Sequence, residues 1–407
     1  MIHLETPKKF TGLVAQAHQV AAQMFRPISR KYDRDEHAEP KELLMLASLL
    51  DGMSAAGGGG GAGATGASRD RSADTGENRN GSNLSTVLGI MELCWGDVGL
   101  LLAMPRQGLG NSAIAAVAND EQLARFKGRW AAMAITEPGT GSDSANIRTT
   151  ARLEKTESGE HYVLNGEKIY VTSGARADLV VVWATLDRNV GRAAIKSFVV
   201  EKGTPGFELA RLEHKLGIRA SDTAAFVLKD VRVPKENLLG TPEVNVEKGF
   251  AGVMQTFDNT RPLVASMAIG LTRACLERTR ELLQKAGVSI DYSKPARLQH
   301  AAAADLLRME ADYEAARLLT LQAAWMADNR QPNSLQASMA KAKAGRTCVD
   351  VALKCVELCG VAGYSEDDLL EKWARDAKIL DIFEGTQQIQ LLIIARRLLG
   401  KSSAELK

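Results

Sequence analysis

The feature that most limits the possible folds of this chain is a hydrophobic period that changes twice. Apolar residues recur at three- and four-residue intervals through most of the first 130 residues, and again from Gly249 to the end. Between these regions, short stretches with strand-like patterns are separated by turn-forming residues. The sequence therefore predicts an α+β chain in which helices come first, a β-rich segment follows, and helices return.

We expect three domains: a helical domain over residues 1–130, a β-domain over 131–245 and a helical domain over 246–407. The regular spacing of the strand patterns predicts an antiparallel barrel or sandwich, with Asn165-Gly166 as the turn of a hairpin. Long helical runs with short links predict a C-terminal four-helix bundle. These runs cover 249–286, 295–328, 334–360, 367–383 and 388–399.

Residues 54–81 interrupt the first helical region. The segment contains no Val, Ile, Leu, Phe, Tyr or Trp and includes five consecutive glycines, so it cannot bury enough area to offset its ordering entropy. No phosphate-binding motif surrounds the glycines. We expect a flexible surface loop.

The overall composition and charge of the chain argue against several classes of protein. The chain of 407 residues has 51 basic and 49 acidic residues, and neither terminus carries a basic extension, so nucleic acid is not an expected partner. There is no apolar run of membrane-spanning length and no apolar signal core, so we expect no membrane span and a cytoplasmic protein. The five cysteines lie in apolar helical patterns typical of buried thiols. The six histidines lack ligand spacing, so no metal site is expected.

A candidate catalytic carboxylate lies near the C-terminus. Glu384 follows a largely apolar run over 379–383 and precedes Gly385 and Thr386, which interrupt the helical pattern. The pattern predicts a helix, a tight turn and a second helix, with the acid at the corner. Large apolar neighbours desolvate a carboxylate and raise its pKa towards the range of an effective general base. An isolated Glu-Gly pair is more often a solvated helix end, so this assignment needs further support.

Three motifs supply that support, because in this order they resemble the acyl-CoA dehydrogenase family over essentially the whole chain. They are ITEPGTGSD from Ile135, FDNTRP from Phe257 and RDAKILDIFEGTQQIQ from Arg375, with weaker similarity over 165–172 and 231–237. Members of this family hold FAD between the β-domain and the bundle. The resemblance implies an FAD-dependent oxidoreductase of fatty acid metabolism that converts an acyl-CoA thioester to the trans-2-enoyl-CoA, with Glu384 as the α-proton acceptor.

The resemblance also implies which residues contact the ligands. The implied FAD contacts are Met133, Ile135, Thr136, Gly141, Ser142, Tyr170, Val171, Thr172, Thr386 and Gln388. The implied acyl-CoA contacts are Ser142, Asp258, Arg261, Gly385 and Arg396. The main-chain N–H of Glu384 is implied to polarise the thioester carbonyl. Some relatives carry the base on the first bundle helix, at the position of Thr260, which cannot act as a base.

One departure bears on assembly. Family members usually carry Arg-x-x-Phe-Gly after the first bundle helix, and its arginine reaches the FAD of a neighbouring subunit; residues 285–294 lack it here. We hypothesise a dimer of dimers, built either from one chain or with a related chain. The family implies electron-transfer flavoprotein as the electron acceptor. Two alternatives stay open: an oxidase on the same fold, and a non-catalytic partner subunit.

Overall fold

The computed structural model describes residues 6–47, 80–105, 109–157, 159–244, 251–401 and 405, and for 251–259 it gives the helical backbone without the side chains. All but the last two residues of the predicted insert at 54–81 lie outside the described residues. Asp258, a predicted acyl-CoA contact, also lies outside the described side chains.

The N-terminal part is helical, as predicted. Its helices are α1 (Thr11–Val20), α2 (Arg26–Arg34), α3 (41–47), α4 (Ser82–Gly96), α5 (Val98–Leu102), α6 (Leu109–Val117) and α7 (Asp120–Arg125). Helix α4 is buried along most of its length, and Asp97 caps α5 by accepting from the backbone N–H of Leu100 at 2.8 Å. The apolar residues of α4 and α5 share one core with the C-terminal helices, so the two helical parts pack as one body.

The central part is one mixed sheet of seven strands. The strands are β1 (Ala131–Ala134), β2 (Thr150–Thr156), β3 (Gly159–Thr172), β4 (Leu179–Thr185), β5 (Ile195–Glu201), β6 (Phe207–Leu212) and β7 (Thr223–Pro234). Their order is β1-β4-β2-β3-β7-β6, with β5 paired to β4. The predicted antiparallel barrel or sandwich is matched only in part: four of the six strand pairs are antiparallel, but β2 meets β4 in parallel at one position, and β1 runs parallel to β4, with Ala131 opposite Leu179. The β2–β3 pair lies between them in sequence, so the connection is a crossover rather than a short hairpin.

The predicted hairpin turn at Asn165-Gly166 is also wrong, because both residues lie inside the long strand β3. The side chain of Asn165 binds Asp230 of the neighbouring strand β7, and the pairing with β7 shifts register between Leu164 and Gly166. A Cβ on Gly166 would lie 2.4 Å from the Thr149 hydroxyl oxygen. The glycine therefore permits a bulge and a close strand approach instead of a turn.

The C-terminal part is helical, as predicted. Its helices are α8 (Ala251–Lys285), α9 (Ala301–Asp328), α10 (Ser334–Cys359), α11 (Val361–Tyr364), α12 (Leu370–Leu380) and α13 (Gln387–Leu399). Helix α9 begins six residues later than the sequence pattern indicates, because His300 caps it and a short 3-10 turn precedes it. The division at residues 130 and 245 stays a prediction.

Two further expectations concern the whole chain. All five cysteines are free, and four of them are buried. None of the described helices combines the length and apolar character needed to cross a membrane.

Candidate functional site

The candidate base lies at a corner between two helices. Helix α12 ends at Leu380 and α13 begins at Gln387, which confirms the predicted helix, turn and helix. Glu384 has φ = 56° and Gly385 has φ = 91°. The left-handed region is unfavourable for a glutamate, so the surrounding structure must hold this conformation in place.

Two buried polar side chains hold the corner through its carbonyl groups. The Nζ of Lys341 on α10 donates to the carbonyl of Gly385 at 2.7 Å. The Nε2 of Gln390 donates to the carbonyls of Glu384 and Gly385 at 3.1 and 3.2 Å. Lys341 and Gln390 are completely buried. These contacts offset the cost of the left-handed backbone and fix the direction of the Glu384 side chain.

The Glu384 carboxylate is surrounded by groups that act on its pKa in opposite directions. Desolvation raises the pKa above the ordinary value for glutamate and outweighs the other influences. The hydroxyl of Thr260 donates to Oε2 at 2.9 Å, and nearby Arg261 and Lys341 attract the charged form. A carboxylate with a raised pKa is a stronger proton acceptor than a solvated one, as a general base requires.

Lys341 and Thr260 were not identified as parts of the site from the sequence. Burial lowers the pKa of Lys341 to about 8, although Asp381 and Glu384 act in the opposite direction. A weak signal was present, because Lys341 lies between Ala340 and Ala342 on a face of α10 that is otherwise small and apolar. Thr260 was dismissed as a base, but the structure makes it a hydrogen-bond donor to the base.

The sheet places two of the segments predicted to contact the flavin, the 135–142 turn and the end of β3, side by side. The backbone N–H of Ile169 donates to the carbonyl of Thr136 at 2.9 Å, which places the 135–142 turn beside β3. Tyr170 has φ = 57° at a register shift in β3, and 62% of the residue is exposed. Val171, next to it, is buried. The bulge therefore exposes Tyr170, which directly follows Ile169, the residue that contacts the turn.

A buried ion pair fixes this turn. The Nζ of Lys168 lies 2.8 Å from Oε1 of Glu137 and donates to the carbonyl of Ile135 at 3.1 Å. The same carboxylate oxygen accepts from the backbone N–H of Thr149 at 2.9 Å. The sequence placed Glu137 inside a motif but did not indicate its partner, because Lys168 is thirty-one positions away.

The remaining predicted residues occupy several kinds of position. Met133, Ile135, Thr136, Thr172, Thr386 and Arg396 are partly exposed; Gly141, Ser142 and Gln388 are exposed; and Arg261 is buried. Thr386 caps α13 by accepting from the backbone N–H of Ile389 at 3.4 Å. Arg261 contributes to the electrostatics of Glu384, which joins it to the corner.

The sheet and the corner are linked through α12. The backbone N–H of Ile218, in the loop between β6 and β7, donates to the carboxylate of buried Asp376. In the same loop, a Cβ on Gly217 would lie 2.5 Å from the backbone carbonyl of Arg375. The helix that precedes the candidate base is therefore in close contact with the loop between β6 and β7.

Family models match two long parts of the chain. The acyl-CoA dehydrogenase middle domain matches residues 132–231, and the acyl-CoA dehydrogenase C-terminal domain matches residues 247–399. The chain belongs to the acyl-CoA dehydrogenase family. This confirms the family predicted from the three motifs, and with it the class of enzyme, an oxidoreductase.

Individual relatives agree with this family membership. The chain is 35% identical over 329 residues to a short-chain-specific acyl-CoA dehydrogenase of Clostridium acetobutylicum, covering 78% of this chain and 83% of the relative. It is 39% identical over 276 residues to a mitochondrial short-chain-specific enzyme of Rattus norvegicus, covering 65% of this chain and 62% of the relative. The solved structure of butyryl-CoA dehydrogenase from Megasphaera elsdenii superposes with a TM-score of 0.82 at 29% identity, over 98% of this chain and 100% of that one.

Proposed function

We propose that this member of the acyl-CoA dehydrogenase family oxidises a short-chain acyl-CoA at its α and β carbons, and that Glu384 removes the α-proton. The observation that carries the proposal is the desolvated Glu384 carboxylate, held at a rigid corner with a raised pKa. The relatives named above are described as short-chain-specific or butyryl-CoA enzymes, which supports a short acyl chain.

The residues on the sheet fit a flavin. Tyr170 is largely exposed and has a backbone conformation that residues other than glycine rarely adopt, and a Cβ on Gly139 or Gly141 would meet no atom within 4 Å. An open turn rich in small hydroxyl residues beside an exposed ring can accommodate a planar, polar-edged group. When bound, FAD supplies the acceptor for the hydride from the β-carbon.

We assign the FAD contacts to the turn, the bulge and the start of α13. The assigned residues are Met133, Ile135, Thr136, Gly141, Ser142, Tyr170, Val171, Thr172, Thr386 and Gln388. Thr136 and Thr172 are partly exposed and carry hydroxyl groups able to contact the edge of the ring.

The residues around the corner are assigned to the substrate. Glu384 accepts the α-proton, and its own backbone N–H polarises the thioester carbonyl, which makes that proton more acidic. Ser142, Asp258, Arg261, Gly385 and Arg396 are the proposed acyl-CoA contacts. The buried guanidinium of Arg261 also attracts the charged form of the base.

Electron-transfer flavoprotein is the proposed electron acceptor, the cytoplasm the proposed location and a dimer of dimers the proposed assembly. The absence of the usual arginine in 285–294 supports assembly with a related chain. Purification of this chain alone with one flavin per subunit would contradict the mixed assembly. Hydrogen peroxide formation at the rate of substrate consumption would favour the oxidase alternative.

The proposed function is tested by anaerobic reduction of the bound flavin. Wild type, Glu384→Gln and the surface control Glu366→Gln are each mixed with butyryl-, octanoyl- and palmitoyl-CoA while the flavin absorbance is followed. We expect butyryl-CoA to bleach the wild-type and control flavins fastest. The Glu384→Gln variant should keep its flavin but bleach at least about a hundredfold more slowly, because proton transfer to a positioned base contributes that much.

Equal bleaching by Glu384→Gln would remove Glu384 from the base role. A flavoprotein that no acyl-CoA bleaches would overturn the dehydrogenase proposal and favour the non-catalytic partner subunit. Preferential bleaching by palmitoyl-CoA would overturn only the short-chain assignment.

A further inference from the structure

Three side chains with metal-ligating atoms meet where the end of α2 faces the loop between β6 and β7. Glu36 and His37 follow α2, and His214 lies in the loop. Each offers one ligand atom, and the three atoms lie within 4.8 Å of one another. The two imidazole rings have centroids 5.0 Å apart. Ligand spacing along the chain does not reveal this group, because His214 lies 178 positions beyond Glu36.

Glu36 is oriented towards the centre of the group. One carboxylate oxygen accepts from the backbone N–H of Lys215 at 2.8 Å, and the other faces Nδ1 of His214 at 2.9 Å. Burial alone would raise the pKa of Glu36, but the contacts with His214 and Lys215 hold it below its ordinary value. One oxygen of the carboxylate is therefore fixed by the backbone of Lys215, and the other is directed at the imidazole of His214.

His37 is held in an unusual conformation with an unsatisfied ring. Its φ is 70°, and the carbonyls of His37 and Ala38 both accept from Nη2 of Arg176, at 3.3 and 2.9 Å. Both ring nitrogens are buried and make no hydrogen bond to the described residues. Buried polar atoms almost always have a partner, so such a ring calls for an explanation. A metal ligand uses the lone pair of a neutral imidazole nitrogen, and neither nitrogen of His37 is engaged by the described residues.

The nearby cations are occupied by other partners. The Nζ of Lys215 donates to the carbonyl of Ser221 at 2.6 Å, and Nε of Arg176 lies 3.4 Å from Oδ1 of Asp222. Lys215 still acts electrostatically on His37, but Glu36 and Asp222 act in the opposite direction. A divalent ion beside Glu36 is therefore compatible with the local charge.

We propose that Glu36, His37 and His214 bind one divalent transition-metal ion of the zinc class. Two imidazole nitrogens and one carboxylate oxygen form a common zinc ligand set, with water in the fourth position. Zinc ligands lie about 2.0–2.2 Å from the ion, so the group must contract slightly. The His214 side chain is 84% exposed and is free to rotate into place.

The ion would have a structural role. It would join the end of α2 to the loop whose residues Gly217 and Ile218 contact α12. Metal binding to the folded state alone raises its stability, so zinc should raise the melting temperature. This inference does not depend on the proposed reaction or on the flavin.

The test is titration of the full chain with Zn²⁺ by calorimetry, with Co²⁺ absorbance as a second probe. The variants are His37→Asn, His214→Asn and Glu36→Gln, and the control is His300→Asn, in which asparagine retains the helix cap. We expect one ion per chain in wild type and control. Each site variant should weaken binding by at least about tenfold and lose the zinc-dependent rise in melting temperature.

Binding that is absent in the wild-type protein, or unchanged in the site variants, would overturn the proposal. If His37→Asn fails to fold, His214→Asn decides the matter, because its exposed side chain can be replaced without disturbing the core. An equal loss of binding in His300→Asn would show nonspecific binding to histidines and would also overturn it.

Discussion

At the scale of single residues, the charge state of Glu384 depends on two donors from different helices. Thr260 on α8 contacts the carboxylate itself, whereas Lys341 on α10 contacts the next carbonyl and acts on the carboxylate through its charge. Both favour the ionised form, while desolvation opposes it. The two contributions can be separated by mutation, because only one of them also holds the backbone.

Removal of the Thr260 hydroxyl should move the acidic limb of the rate profile. As the proposed base, Glu384 must be deprotonated, so we expect kcat/KM to fall as the pH drops through its raised pKa. In Thr260→Val the carboxylate loses a donor that favours its charge, so its pKa rises further and the limb moves to higher pH. A hydrogen bond to a charged group is worth about 1.5–3 kcal/mol, which corresponds to a shift of about one to two pH units. The control Thr260→Ser keeps the hydroxyl and should keep the wild-type limb; an unshifted limb in Thr260→Val would contradict this role.

Replacement of Lys341 by methionine should lower kcat with little change in KM. The Gly385 carbonyl would lose its buried donor, and a small displacement of a catalytic group costs up to about a hundredfold in rate.

The pKa of Lys341 is lowered to about 8, so in wild type the amine loses its charge as the pH rises through that value. We therefore expect an alkaline limb near pH 8 that Lys341→Met lacks. Lys343→Met, on the same helix but partly exposed, should keep it.

The residue at the corner was predictable from the sequence, but its partners were not. Glu384 stands in a motif where apolar neighbours, a glycine and a threonine indicate its environment. Thr260 and Lys341 reach it from 124 and 43 positions away, and nothing in the local pattern of α8 or α10 specifies that approach. Asp258 and the other proposed acyl-CoA contacts stay predictions.

At the scale of elements, the position of the corner depends on how closely α10 and α12 pack. A Cβ on Gly345 of α10 would lie 2.6 Å from the carbonyl of Leu380, the last residue of α12. Real Cβ atoms do not approach a backbone oxygen so closely, so any larger residue must push the helices apart. The end of α12 leads directly to Glu384, and the displacement would reach the base.

Gly345→Ala should therefore reduce both stability and activity. Overpacking of a tight helix contact costs about 1–3 kcal/mol, measurable as a lower urea midpoint, and kcat should fall with it. Gly12→Ala is the matched control, because Gly12 also lies in a helix but a Cβ there meets nothing within 4 Å. Alanine at position 12 should be neutral or stabilise the protein by up to about 1 kcal/mol. Wild-type stability and rate in Gly345→Ala would show that the helices can separate without consequence.

The positions of the helices were predicted better from the sequence than the pairing of the strands. Long helices reveal themselves through a repeated apolar face, and the helical patterns at both ends of the chain were confirmed. Strand pairing is a long-range property, so the parallel contact of β1 with β4 could not be deduced from strand spacing. The Asn165-Gly166 pair has the sequence pattern of a hairpin turn although it forms a bulge, because both structures use a glycine that tolerates positive φ.

At the scale of the whole molecule, a buried charge cluster joins the N-terminal helices to the bundle. Lys372 of α12 lies 2.7 Å from Oδ2 of Asp97 and also pairs with Asp376. Ser29 of α2 donates to Asp97, and the backbone of Ile218 donates to Asp376. Lys372, Asp97 and Asp376 are fully buried, so each charge depends on the others for compensation.

Lys372→Met should be among the most destabilising substitutions in the chain. It leaves two buried carboxylates without their cation, and breaking a buried ion pair in this way costs about 3–5 kcal/mol. Urea unfolding should show the loss. Lys155→Met removes an exposed partner of Glu160 and should cost less than about 1 kcal/mol. Equal unfolding midpoints for the two variants would mean that the cluster contributes no more than a surface pair.

Because β1 is held in the sheet beside β4, the turn that follows β1 stays with the sheet, and this affects how the chain becomes active on refolding. The 135–142 turn follows β1 in the sheet, whereas Glu384 follows α12 in the bundle, so neither part alone carries all the residues of the proposed site. During refolding, the circular dichroism signal of the long helices should return before turnover does. The lag between the circular dichroism signal and turnover would measure how long the sheet takes to pack against α12.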